Sequence, residues 1–146
     1  MLRLQVFVSG MALAGFTLAG GTVASAQEPA KPVLTLDGDA AVITLLIKPD
    51  KTAEFESVIA KLRESLSKSD KPERKQQLAG WKIFKSAQAA NGQAVYIFFI
   101  DPVIKDQEYD LTRIIAEVFP VEVQEVFQKY KDSFAGRAIA SLSKVP

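Results

Sequence analysis

Gly80-Trp81-Lys82-Ile83-Phe84-Lys85-Ser86-Ala87-Gln88-Ala89-Ala90-Asn91-Gly92-Gln93-Ala94-Val95-Tyr96-Ile97-Phe98-Phe99-Ile100-Asp101 is the stretch on which the fold turns. Two runs rich in aromatic and β-branched residues, Gly80 to Ala89 and Gln93 to Asp101, flank Asn91-Gly92. A two-residue hairpin turn needs positive φ at both central positions, and Asn-Gly meets that need at least steric cost. The stretch therefore reads as a β-hairpin, stopped by Pro102. Strand alternation sends Val95, Ile97 and Phe99 one way and Tyr96, Phe98 and Ile100 the other, so both faces of the second strand are apolar.

Upstream, Ala41 to Ile47 is a β-branched run closed by Pro49 and reads as a first strand. Asp50 is placed to cap a helix whose apolar residues, Phe55, Val58, Ile59, Leu62 and Leu66, recur at helical spacing. Ser67 to Gln77 is polar and charged and reads as a loop with one helical turn starting at Pro72. Downstream, the acidic stretch Asp106 to Asp110 leads into a short helix with Leu111, Ile114, Ile115 and Val118, ended by Pro120. A second helix carries Val123, Val126, Phe127, Tyr130 and Phe134 on one stripe, with Gly136 as its C-cap. Arg137 to Lys144 alternates weakly and reads as a last strand. The order is β-α-β-β-α-β, an α+β, ferredoxin-like antiparallel sheet with helices on one face.

The first 26 residues form a separate unit, with Arg3 as their one charged side chain. An apolar run broken by Gly10, Gly15, Gly20 and Gly21 precedes Ala24-Ser25-Ala26, a small-residue site of the kind a signal peptidase reads. The organisation expected is a signal peptide over 1–26, cleavage before Gln27, a flexible proline-bearing leader over 27–39 and one domain over 40–146. The destination expected is the bacterial periplasm or the medium, with no membrane attachment after cleavage. Val33 to Leu36 is a candidate short strand within the leader.

Once Arg3 is set aside, the remaining Lys and Arg equal the 17 Asp and Glu in number. Nucleic acid needs a basic excess or stripe, so it is not an expected partner. The chain has neither Cys nor His, which removes thiol nucleophiles, disulfides, histidine acid–base catalysis and the usual ligands of zinc and haem. Asp101, Asp106, Glu108 and Asp110 lack the spacing of a calcium loop and have Lys105 among them. No metal or cofactor is expected.

The sequence resembles the dimeric α+β barrel group, which includes the antibiotic-biosynthesis-monooxygenase-like proteins. The resemblance rests on Ile47-Lys48-Pro49-Asp50-Lys51 leading into Phe55, on Gly80 to Lys85 and on Tyr96-Ile97-Phe98, and covers residues 40–142. It is one of architecture, with no catalytic signature matched. Haem-degrading members use a His ligand, so that activity does not transfer. What the resemblance allows is a cofactor-independent enzyme oxidising an aromatic substrate, oriented by Trp81, Tyr96 and Asn91. Whether the chain is an enzyme stays open.

The other reading follows from the two-faced sheet. Ile43, Leu45 and Ile47 share one face of the first strand and Val42 and Leu46 the other, so something must cover the face without helices. A homodimer built through that face, with Phe98 expected on it and Phe99 toward the helices, gives a binding or accessory module. An apolar small molecule would be held by Trp81, Tyr96 and Phe98.

Overall fold

The computed structural model describes residues 30–146; the signal-peptide and cleavage-site reading lies outside them. Residues Lys31–Pro146 form one unit. Its elements are β1 (Ala40–Ile47), α1 (Thr52–Lys68), α2 (Pro72–Gly80), β2 (Trp81–Lys85), β3 (Ala94–Ile100), α3 (Leu111–Val118), α4 (Val123–Ser133) and β4 (Phe134–Leu142). The strands run in the order β2-β3-β1-β4, with every neighbouring pair antiparallel. Two β-α-β units thus interlock, each crossover stepping over one strand of the other. This is the ferredoxin-like α+β fold.

At the hairpin, Ala90 and Gln93 exchange backbone hydrogen bonds of 3.0 and 2.9 Å across Asn91 (φ 51°) and Gly92 (φ 75°). The turn is the one the dipeptide foretells. The strands do not run evenly up to it. Lys85 pairs with Tyr96 and Ala90 with Gln93, so the chain spends two more residues on the β2 side, and β2 ends at Lys85 rather than Ala89.

Helix α1 buries Phe55, Val58, Ile59, Leu62 and Leu66 on the stripe their spacing implies. Asp50 does not cap it. A single 3-10 turn over Pro49–Lys51 intervenes, and no side chain caps the helix start. The segment read as a loop is α2, a nine-residue helix with Pro72 in its first turn. Its buried side chains are Arg74 and Gln77, three residues apart on one face. An apolar stripe is what a sequence reading detects, and here polar groups occupy it. Asp110 caps α3, accepting from the Arg113 N–H at 3.0 Å and the Thr112 hydroxyl at 2.5 Å.

Gly136 is not a helix C-cap. Strand β4 begins at Phe134, and Gly136 lies opposite Leu46 within it. Between those pairs the register slips by one residue, a bulge that leaves Ala135 unpaired. The leader also differs from its reading. Residues 33–36 are neither strand nor loose, and Leu36 is buried in the core. Gly38, at φ 85°, lets the chain pass Leu142; a Cβ there would come within 2.6 Å of the Leu142 carbonyl oxygen.

The core lies between the sheet and the helices. Ala41, Ile43, Leu45 and Ile47 of β1 and Tyr96, Phe98 and Ile100 of β3 face α1, α3 and α4. Phe98 is on this side, 2% exposed, and Phe99 is on the other, the reverse of the expected placement. Alternation sorts residues into two sets, but when both sets are apolar it does not say which one the helices take.

Candidate functional site

Two surfaces compete for a role: the sheet face that lacks helices, and a cleft between the sheet and the start of α3.

The strand register builds the open face in cross-strand rows. Lys82, Phe99, Val42 and Ala140 form one row, Phe84, Ile97, Thr44 and Ala138 the next, and Val95, Leu46 and Gly136 the third. Lys82 is the only charged member. The six residues contributed by β1 and β3 are half-buried by their strand neighbours, and Phe84 is 53% exposed. Strand spacing and rise give these rows a projected area of roughly 400 Å², a size at which apolar patches mark interaction sites. Side-chain bulk falls from Phe84, Phe99 and Ile97 on β2 and β3 to Gly136, Ala138 and Ala140 on β4.

Trp81, Tyr96 and Phe98 lie on the opposite face, inside the core. Trp81 packs edge-on to Phe98 with ring centroids 5.7 Å apart and lies 5.4 Å from Tyr109. Phe55 meets Tyr96 edge-on at 4.8 Å. The Trp81 indole nitrogen is buried with no hydrogen-bond partner. The three rings share a side of the sheet and pack with one another and with Phe55 and Tyr109; of the three only Phe98 also lines a cleft. Asn91 is at the exposed hairpin turn, where its positive φ is its evident contribution.

Only the hydroxyl of Tyr96 reaches the surface chemistry. It donates to Glu56 Oε1 at 2.6 Å, and Lys85 Nζ donates to the same oxygen at 2.8 Å. Lys85 and Tyr96 hold the Glu56 carboxyl below its ordinary value. Burial and the bond to Glu56 push the Tyr96 hydroxyl above its own. A phenol shifted in that direction keeps its proton at neutral pH and serves as a donor, not as a base or nucleophile.

The cleft is lined by Leu34, Ile43, Leu45, Phe98, Tyr109, Leu111, Asp110, Tyr130 and Arg137. The space in it that is wide enough for water is about 10 Å³. That is room for about one water molecule. Its floor is apolar and its polar groups sit at one end. Burial pushes the Tyr130 hydroxyl above its ordinary value, Arg137 opposes the shift and Asp110 adds to it.

A polar network braces this end of the molecule. Arg74, 3% exposed, donates through Nε and Nη2 to the two carboxylate oxygens of Glu117 at 3.0 and 2.7 Å, and through Nη1 to Gln77 at 2.7 Å. Gln77 Nε2 donates to the Glu108 carbonyl at 2.9 Å. The Glu108 carboxylate in turn accepts from the backbone N–H groups of Val33, Leu34 and Asp110 at 2.7, 2.9 and 2.9 Å. Arg74 and Gln77 fall in the segment read as a polar loop, Glu108 in the acidic stretch, Tyr130 on a helix stripe and Arg137 at the start of the last strand, and none of them is among the site residues expected from the sequence. A lone Arg or Glu amid other charges carries no periodic or motif signal, and its partner lies up to 75 residues away.

Among the described residues, no group of three or more acidic side chains converges as a metal site requires, and no helix is long and apolar enough to cross a membrane. The strand order and the helix-covered face define a ferredoxin-like α+β domain. No protein-family model and no curated protein matches the chain. Among solved structures it is similar to a de novo designed protein, Ferredog-Diesel, at 10% identity and a TM-score of 0.34, over 78% of this chain and 96% of that one. It is also similar to a dimeric ferredoxin-like protein of unknown function from Thermobifida fusca YX, at 16% identity and a TM-score of 0.35, over 73% and 92% of the two chains.

Proposed function

We propose that the protein is an exported, homodimeric α+β module with a non-catalytic binding or accessory role. One observation carries the reading: a sheet face with three mostly apolar rows and a single charge has no cover among the described residues. Left in water, such a face drives association through the hydrophobic effect, at about 25 cal/mol per Å² of apolar surface removed.

A second copy is the occupant that the side chains favour. A two-fold axis lying between two stacked sheets, parallel to their strands, sets β2 of each copy over β4 of the other. The bulky Phe84 side then meets the small Ala138 and Gly136 side twice, which is the self-complementarity an isologous interface requires. Export rests on the sequence of residues 1–26 alone, and N-terminal sequencing of secreted material should begin at Gln27.

Sedimentation of residues 27–146 tests the assembly directly. A dimer is expected at micromolar concentration, converted to monomer by Phe99→Asp. A wild-type chain that stays monomeric at high micromolar concentration overturns the reading. So does a Phe99→Asp chain that remains a dimer.

A further inference from the structure

We infer that the cleft beside Tyr130 and Arg137 is a binding site for a small apolar carboxylic acid, and that the Val33–Leu34 segment is its lid. The inference rests on the binding-module reading and names a ligand class for it. It uses the helix side of the sheet and is independent of how the open face is covered.

The lid argument starts from how the segment is attached. It precedes β1 and belongs to no strand. Two of its N–H groups, of Val33 and Leu34, bond to the single carboxylate of Glu108, and the Leu34 carbonyl accepts from the Tyr109 N–H at 2.7 Å. Three hydrogen bonds and the part-buried Leu34 side chain are a small attachment, whereas Leu36, 3% exposed, stays in the core. Each such bond contributes roughly 1 kcal/mol net, slightly more where the acceptor is charged. Release of so short a strap belongs to the low-energy local openings that leave the rest of a fold intact. Glu108 itself does not depend on the strap, because it also holds the Asp110 N–H and its carbonyl is bonded by Gln77.

Leu34 is the one lining residue supplied by the strap. When it leaves, the floor of Ile43, Leu45, Phe98 and Tyr109 opens, and the closed form's space for one water becomes space for a ligand. The polar end decides the ligand's chemistry. Among the described residues no carboxylate pairs with Arg137, whereas Arg74 is engaged by Glu117 and Gln77. The Tyr130 hydroxyl keeps its proton and is available to donate. Asp110 adds a negative charge at the rim, but the Thr112 hydroxyl and the Arg113 N–H already bond its Oδ1, at the N-terminus of α3. A guanidinium and a phenol donor above an apolar floor fit a carboxylate carried on an aliphatic or aromatic body.

Octanoate is a suitable probe, with octanol as its uncharged counterpart. In calorimetric titration, a chain starting at Thr35 should bind octanoate at least tenfold more tightly than residues 27–146. Adding Arg137→Gln to the shortened chain should remove at least that factor while leaving octanol binding unchanged. Because the shortened chain could lose its fold, the intact chain carries a second measurement. Saturating octanoate should speed hydrogen exchange at the Leu34 and Tyr109 amides by at least tenfold. Equal octanoate affinity with and without the strap, an Arg137→Gln chain that binds octanoate normally, or unchanged exchange at saturation each overturns the inference. Sedimentation of the same samples reports separately on the open face, so failure of the site and failure of the dimer are distinguishable.

Discussion

The two faces of the sheet are nearly equal in apolar content and opposite in fate. On the helix side, Phe98 is buried among Phe55, Trp81 and Ile43. One residue along the strand, Phe99 stands among Val42 and Lys82 with none of the described helices above it. Hydrophobicity does not separate the two; what separates them is which face the crossovers can reach. Both crossovers of an interlocked β-α-β pair lie on the same side of the sheet, so one face becomes core by connectivity and the other becomes a surface. An apolar side chain therefore stabilises the monomer on one face and an assembly on the other.

Substitutions should break the comparison in a graded way. The largest effect is expected at Phe98. Phe98→Asp buries a carboxylate without a partner and empties an aromatic site, and should cost more than about 4 kcal/mol, enough to unfold a domain of this size. Urea denaturation followed by circular dichroism reads it. Phe99→Asp, the same change one residue on, should leave a folded chain whose monomer loses no more than about 1 kcal/mol, with the effect appearing in sedimentation instead. Equal loss of fold from both substitutions would mean that the open face is covered within the monomer.

Glu108→Ala lies between these in magnitude. Three backbone donors lose their acceptor, and about 1–3 kcal/mol of stability should go with them. Amide exchange should quicken at Val33, Leu34 and Asp110 while β1 and β3 stay protected.

The smallest effect is the pH dependence of stability that Glu117 contributes, distinct from the loss at neutral pH caused by leaving buried Arg74 without its carboxylate. Burial raises the pKa of the Glu117 carboxyl, but the hydrogen bonds from Arg74 and Lys71 outweigh this and hold it below the ordinary glutamate value. A group whose pKa is lower in the folded state stabilises the fold above its unfolded pKa, and that contribution is lost as pH falls through the folded value. Stability should therefore decline below about pH 4.5, and Glu117→Gln should remove part of that decline. The carboxylate is partly exposed and solvent-screened, so the difference in that decline should be within roughly 1 kcal/mol. Thermal melts of both chains between pH 7 and pH 3 measure it.

Legibility followed the length scale of each interaction. The hairpin was readable because Asn91 and Gly92 are adjacent and their conformational tolerance is intrinsic. Helix α1 was readable because its stripe repeats within seventeen residues. Helix α2 was not, because the face it buries is made of Arg74 and Gln77, whose burial is tolerable only when Glu117 and the Glu108 carbonyl are already in place. The strap escaped the sequence reading for the same reason, since nothing near Val33 indicates that a carboxylate 75 residues away will hold it. Trp81, Tyr96 and Phe98 could be named as aromatic residues on strands, but whether they line a site or fill a core depends on which side the helices take.

By itself the sequence determined the order of the elements, the hairpin and its turn, the apolar character of both sheet faces, the balanced charge, and the absence of cysteine and histidine chemistry. All of these are fixed by residues close together in the chain or by composition alone. Tertiary structure decided which face is core, where β4 begins, that a polar segment is helical, and that the strap, Tyr130 and Arg137 meet at one cleft. Each of those depends on groups brought together across the fold, where the energy of burying a charge or a ring is set by its neighbours in space.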